Sequence, residues 1–143
     1  MKKKIFTCII LLTGTFITVF AYPDKKVLDS FNKEFSNARN VLWITQDIYE
    51  KAIFELNGHV LFAYFDKEGK LMSVTRNIRS DQLPVRLIID WKKHYGKYWI
   101  SELFEVSTSS DTFYHMKLEN AYYVIDLVSN GQNNWITYRS EEK

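Results

Sequence analysis

The side chains best suited to chemistry are three histidines, His59, His94 and His115. A catalytic or metal-binding histidine needs a partner at a defined spacing, such as His-x-His or His-x-x-x-His. None of the three has such a partner, and the chain has no nucleophile motif, phosphate-binding glycine loop or dinucleotide fingerprint. The sequence therefore predicts a non-enzyme without metal or organic cofactor. The enzyme alternative requires a deep pocket that holds His115 beside Asp126 or Glu102.

Two carboxylates, Asp66 and Glu68, could suggest a calcium loop. Calcium needs about six to eight oxygen ligands, spread over a longer run than the four residues from Asp66 to Gly69. A lysine also lies inside this run. Because Asp and Gly are residues that hairpin turns prefer, the run is predicted to be a turn.

Aromatic residues form 16% of the chain, and in the predicted strands they occupy both alternating sets of positions. A sheet that is covered by helices on one side should carry polar residues at every second position. Here the second set is apolar, and contiguous exposed apolar area usually marks an interaction surface. The predicted partner-binding face consists of Ile53, Phe62, Tyr64, Phe113 and Tyr122. Two structural alternatives are a second covering layer and aromatic pairs that only stabilise the sheet.

Two helices must position these strands. Apolar residues at helical spacing predict the first from Val27 to near Ser36-Asn37. Pro84 suits the first turn of the second, and Gly96 its end. Asn57-Gly58 predicts a two-residue hairpin turn. The predicted strands cover 40–46, 48–56, 59–65, 71–76, 98–106, 113–118, 121–128 and 135–138.

The order of one helix and four strands occurs twice. This order suggests an internal duplication, and a shift of 62 residues places Gly69 on Gly131 and Thr75 on Thr137. We therefore predict tandem units at about 24–79 and 80–143. The predicted fold is α+β, with helices on one face of an antiparallel sheet and the other face open.

The N-terminus has the pattern of a secretory signal peptide. Lys2, Lys3 and Lys4 precede an uncharged, largely apolar run over 5–20, and small residues at 19 and 21 predict cleavage near Ala21. The protein is therefore expected to be periplasmic or secreted, with 22–143 as a single mature domain. Its only cysteine, Cys8, lies in the leader, so the mature domain can form neither disulfides nor thiolate metal sites.

Charge narrows the classes of partner. The whole chain carries +2, but removal of the leader lysines leaves 16 Lys and Arg against 17 Asp and Glu, a net charge of −1. Near neutrality without a basic cluster argues against nucleic acid as a partner. Residues 22–143 also lack an apolar run of about 20 residues, which a membrane span requires.

Several stretches resemble the PepSY-like, β-lactamase-inhibitor-like proteins exported by Bacteroidetes-type bacteria. They are Ala38-Arg39-Asn40-Val41-Leu42-Trp43, Ala52-Ile53-Phe54-Glu55-Leu56-Asn57-Gly58, Ala63-Tyr64-Phe65-Asp66-Lys67-Glu68-Gly69-Lys70 and Asp81-Gln82-Leu83-Pro84. Together they span about residues 28–139. The resemblance implies helices on one face of an antiparallel sheet and no established catalytic residues. It also extends, more loosely, to a disulfide-bonded β-lactamase inhibitor made of two such units, whereas the mature chain here has no cysteine.

The leading functional hypothesis is an exported module that binds another exported protein through the open sheet face. A narrower version makes it an inhibitor of a periplasmic or secreted enzyme. The alternative is a carrier of a small molecule or peptide, with aromatic residues lining a cleft between the two halves. Exposed aromatic faces and sheet edges would also allow self-association into a homo-oligomer.

Overall fold

The computed structural model describes residues 22–143; the predicted signal peptide, residues 1–21, lies outside the described residues. The fold is α+β, with two α-helices and eight strands; in each half of the chain four consecutive strands pair antiparallel with their neighbours. The chain divides into two compact units, the first ending at Thr75 and the second beginning at Arg76. Each unit has its own helix and its own hydrophobic core.

The helices and strands follow one another with short connections. The first part of the chain contains α1 (Lys25–Glu34), β1 (Arg39–Thr45), β2 (Glu50–Leu56), β3 (His59–Phe65) and β4 (Leu71–Asn77). The second part begins with a short 3-10 helix (Ser80–Gln82) and continues with α2 (Val85–Tyr95), β5 (Trp99–Ser107), β6 (Thr112–Glu119), β7 (Tyr123–Asn130) and β8 (Asn134–Glu142).

Helix α1 packs on one face of the first unit through Val27 and Phe31, which lie one turn apart and are buried. The ring of Phe31 lies 5.0 Å from that of Phe54, in an edge-to-face arrangement. Ala52 and Ala63 are directly paired across β2 and β3, and both are fully buried beneath the helix. Small residues at this point let the helix approach the sheet closely, so one face of the unit becomes a packed core.

Helix α2 is joined to its own strands by polar contacts from Trp135. The indole Nε1 of Trp135 donates a hydrogen bond of 2.9 Å to the Leu87 carbonyl, and its backbone N–H donates to Asp90 Oδ2 at 2.8 Å. Leu87 is fully buried in the core of this unit. The buried indole N–H of Trp135 therefore has an acceptor, and the two hydrogen bonds fix the position of α2 on β8.

Element boundaries differ from the sequence prediction where a side chain redirects the backbone. The strand predicted from Ala121 begins at Tyr123, because Asn120 Oδ1 accepts hydrogen bonds from the backbone N–H groups of Tyr122 and Tyr123. Tyr122 therefore lies in a turn. The last strand runs to Glu142, four residues further than predicted, because residues up to Glu142 pair with β7.

Two glycines occupy turns that need left-handed backbone. Gly58 has φ +78° in the predicted Asn57-Gly58 hairpin turn, and a Cβ there would meet open space. Gly69 has φ +88° in the β3–β4 turn, and its Cβ would lie 2.8 Å from the Lys26 carbonyl oxygen. Asp66 Oδ1 closes this second turn by accepting hydrogen bonds from the N–H groups of Glu68 and Lys70. Gly69 thus also lets the turn contact α1.

We expect Gly69→Ala to destabilise the protein more than Gly58→Ala. Both substitutions force alanine into left-handed backbone, which costs about 1–2 kcal/mol. Only the first also collides with helix backbone, which adds about 1–3 kcal/mol. Urea unfolding of the two variants measures the difference, and equal losses would show that Gly69 does not hold the turn against α1.

Candidate functional site

Cross-strand pairing defines which side chains share the face of the first unit opposite α1. Leu42 of β1 pairs directly with Ile53 of β2, and Ile53 pairs with Phe62 of β3. Directly paired residues point to the same side of a sheet. These three residues therefore form an apolar row across three strands, and the next row carries Lys51 and Tyr64, which also pair with each other.

A lysine and three aromatic rings meet on this face. Lys51 Nζ lies 4.8 Å from the centroid of the Phe62 ring and 5.4 Å from that of Tyr64. The rings of Tyr49 and Tyr64 are 5.7 Å apart. An ammonium this close to aromatic rings is attracted by their π-electrons. We call Tyr49, Lys51, Phe62 and Tyr64 the lysine–aromatic cluster.

The ionisation of the cluster reflects its burial. Loss of water lowers the pKa of Lys51, because burial disfavours the charged ammonium. Burial also raises the pKa of Tyr64, and neighbouring Tyr49 raises it further. Within residues 22–143 Lys51 forms no ion pair, although it is half-buried. Its amine is therefore available to a carboxylate supplied from outside.

Exposure separates the residues that a partner could reach from those that support them. Tyr64 is only 2% exposed, in a cluster with Tyr49, Phe62 and Met72. Ile53 and Phe62 are half-buried, whereas Leu42 is exposed. Tyr64 consequently positions the other rings, and the reachable surface consists of the apolar row and the amine of Lys51.

The predicted partner-binding face is only partly brought together within one unit. Ile53, Phe62 and Tyr64 are neighbours in the first unit. Phe113 and Tyr122 lie in the second unit, at opposite ends of β6, where Phe113 is 3% exposed and Tyr122 is 69% exposed. Tyr122 lies in the β6–β7 turn rather than in the strand where alternation placed it. Whether all five residues contact a partner stays a prediction.

His115 lies beside Asp126, one of the two acids that the sequence paired with it. Its Nε2 is 3.6 Å from Asp126 Oδ1, and both residues are buried. Neither ring nitrogen of His115 has a hydrogen-bond partner. Burial lowers the pKa of His115, and the nearby carboxylates of Asp126 and Glu102 oppose that effect. The surroundings therefore favour a neutral imidazole held inside the second unit.

The other two histidines occupy peripheral positions. His94 Nδ1 lies 3.0 Å from Asp90 Oδ1 in the last turn of α2, and His59 is exposed beside the Asn57-Gly58 turn. Across residues 22–143, no group of three or more His, Cys, Asp or Glu side chains could hold a metal ion. No helix in the same range is long and apolar enough to cross a bilayer.

Comparison with solved structures gives the fold a context. The chain is similar to a DUF2874 family protein from Bacteroides ovatus, with 19% identity, a TM-score of 0.75 and coverage of 85% of this chain and 89% of that one. A BLIP-like protein from Bacteroides fragilis is 14% identical, with a TM-score of 0.73 and coverage of 86% and 88%. A protein from Bacteroides eggerthii, provisionally described as periplasmic, is 12% identical, with a TM-score of 0.75 and coverage of 85% and 90%.

These likenesses support the fold that the sequence resemblance implied. The chain shares the α+β fold of BLIP-like and DUF2874 proteins from Bacteroides. No family model matches the sequence, and no curated protein matches it. At these identities the similarity establishes architecture, and function has to be argued from the chain's own residues.

The buried His115 predicts a loss of stability in acid. Because folding lowers the pKa of His115 below 6.5, the unfolded chain takes up a proton first as pH falls. The stability that depends on the neutral His115 is therefore fully present above about pH 6.5. Below that pH the free energy of unfolding falls by up to about 1.4 kcal/mol per pH unit.

Urea unfolding of the wild type and of His115→Gln between pH 7.5 and 5.5 isolates this effect. We expect the wild type to lose more stability than the variant over that range. Parallel pH dependences would contradict a buried neutral His115.

Proposed function

We propose that this chain is an exported, non-enzymatic protein-binding module that engages its partner through the face of the first unit opposite α1. The observation that carries the proposal is Lys51. It is a half-buried ammonium without an ion pair within residues 22–143, held against Phe62 and Tyr64 beside the exposed Leu42. Interface cores are enriched in aromatic residues, and a charged group that is desolvated there gains from an oppositely charged group on the partner.

The cluster favours a partner that presents a carboxylate within an apolar surface. A carboxylate that meets Lys51 would form a charge-assisted hydrogen bond, shielded from water by the surrounding rings. Ile53 and Phe62 would bury apolar area against the same partner. The proposed partner is another exported protein, and its acidic side chain is the feature that the site would recognise.

The narrower proposal is that this partner is an exported enzyme, which the bound module inhibits. The fold likeness to a BLIP-like protein supports this version. The leader pattern supports cleavage near Ala21 and a periplasmic or secreted location, as does the provisional periplasmic description of the Bacteroides eggerthii protein. One helix and four strands in each half support a tandem origin and a PepSY-like relationship.

A specific cavity favours the carrier as the second candidate. A groove of about 540 Å³ beside α1 is lined in part by Tyr22, Phe31 and Trp43. This volume falls in the range of small-molecule sites. A carrier would be stabilised by its ligand, so a thermal-shift screen of small molecules and peptides separates it from the protein-binding module.

The partner-binding proposal predicts that Lys51→Gln and Phe62→Ser each weaken partner binding by at least about tenfold. The first removes a charged hydrogen bond, and the second removes apolar contact area. Crosslinked capture from periplasmic extract of the source organism, followed by titration of the purified partner, measures both losses. Lys33→Gln removes an equal charge from the exposed side of α1 and serves as the matched control.

The pattern of losses decides the outcome. The proposal holds if Lys51→Gln and Phe62→Ser lose binding while circular dichroism shows that both stay folded at the assay temperature, and if Lys33→Gln binds normally. Capture that is unchanged in both site variants, or equally weak in the control, would show that another surface binds. Inhibition assays on the captured enzyme then test the narrower version separately.

A further inference from the structure

The outward side of α2 combines exposed aliphatic side chains with cations. Val85 and Ile89 lie one helical turn apart and are 71% and 61% exposed. Three exposed basic residues lie on the same side of the helix, away from the buried Leu87. We call this set the basic helix face; its members are Val85, Arg86, Ile89, Lys92 and Lys93.

The charge of this face is not compensated within residues 22–143. None of its three cations forms an ion pair there. Asp90, the acid of this helix, instead accepts a hydrogen bond from the Trp135 backbone and lies 3.0 Å from His94 Nδ1. The face therefore presents positive charge and aliphatic surface without a carboxylate of its own helix.

Helix α1 shows that this composition is not general to helices in this fold. Its outward side carries Lys25, Lys26, Asp29 and Lys33, and Lys25 is paired with Asp29 at 2.5 Å. No large hydrophobic residue of α1 is exposed. Among the described residues, Lys26 and Lys33 of α1 also take part in no ion pair, so the feature that distinguishes α2 is the pair of exposed aliphatic residues among its cations.

We propose that the basic helix face binds the surface of an anionic lipid bilayer. Val85 and Ile89 would enter the boundary between headgroups and acyl chains, while Arg86, Lys92 and Lys93 contact lipid phosphates. The outward side of a helix is convex, so it fits against a deformable bilayer surface more readily than into a preformed pocket. Nucleic acid would use the cations but would gain little from the aliphatic pair. Because residues 22–143 carry a net charge of −1, the attraction has to be local to this helix.

Vesicle cosedimentation tests the proposal, with mixed phosphatidylglycerol and phosphatidylcholine vesicles against phosphatidylcholine alone. Mass spectrometry first establishes that all proteins share the same N-terminus, so that differences report the helix. We expect Arg86→Gln/Lys93→Gln to bind anionic vesicles about 25-fold more weakly, at about fivefold per cation. Ile89→Ser should weaken binding about tenfold. The matched control, Lys26→Gln/Lys33→Gln, removes the same charge from α1 and should bind like the wild type.

Three outcomes would overturn the proposal. The first is the absence of binding to anionic vesicles, or equal binding to both kinds of vesicle. The second is an equal loss in the α1 control, which would mean that net charge alone drives adsorption. The third is an affinity for a single-stranded oligonucleotide that equals the affinity for anionic vesicles and is unchanged in Ile89→Ser. That result would make the face a general polyanion site. Wild-type melting temperatures in all variants exclude misfolding as the cause.

Discussion

Each unit has a single helix, and one helix can cover only one face of the pleated strands on which it packs. In the first unit, α1 covers Ala52, Phe54 and Ala63, so the residues that alternate with them need another environment. Tyr64 is instead buried by Tyr49 and other side chains on its own face. The arrangement leaves a partly filled face, since the rings bury one another while a charged amine among them stays unpaired.

The two units fill the face opposite their helix with different side chains. In the second unit, the face opposite α2 places Lys117 between Glu102, at 3.0 Å, and Asp126, its direct partner on β7. The buried His115 lies in this network. Charges that neutralise one another internally offer less to a partner than an unpaired one, because separating them costs interaction energy. The first unit is therefore the better candidate for specific docking through its sheet.

Much of the fold could be predicted from the sequence because local patterns agree with the final structure. The Asn57-Gly58 turn, the apolar spacing of α1 and α2, and strand β3 at His59–Phe65 all follow from short-range rules. The length of β8 could not be predicted, since its exposed polar residues show no apolar alternation and pairing with β7 sets its extent. The position of Tyr122 could not be predicted, because its backbone N–H donates a hydrogen bond to Asn120 Oδ1 and the strand begins only at Tyr123.

The candidate site was predicted in part, through Ile53, Phe62 and Tyr64. The apolar alternation does not single out Lys51, because its side chain is charged. A signal was present, since Lys51 lies two residues from both Tyr49 and Ile53 and must share their side of the strand. A lone cation inside an alternating apolar set is therefore worth examining as an anchor. Its ring contacts depend on tertiary packing and could be seen only in the structure.

Lysine footprinting tests the docking face most directly. Acetylation of Lys51 is compared between the purified protein and intact cells that produce it, with Lys33 as the internal reference. The account predicts that Lys51 reacts in the purified protein and is protected in cells, while Lys33 reacts equally in both. Equal labelling of Lys51 in the two settings would contradict occupation of this face by a partner.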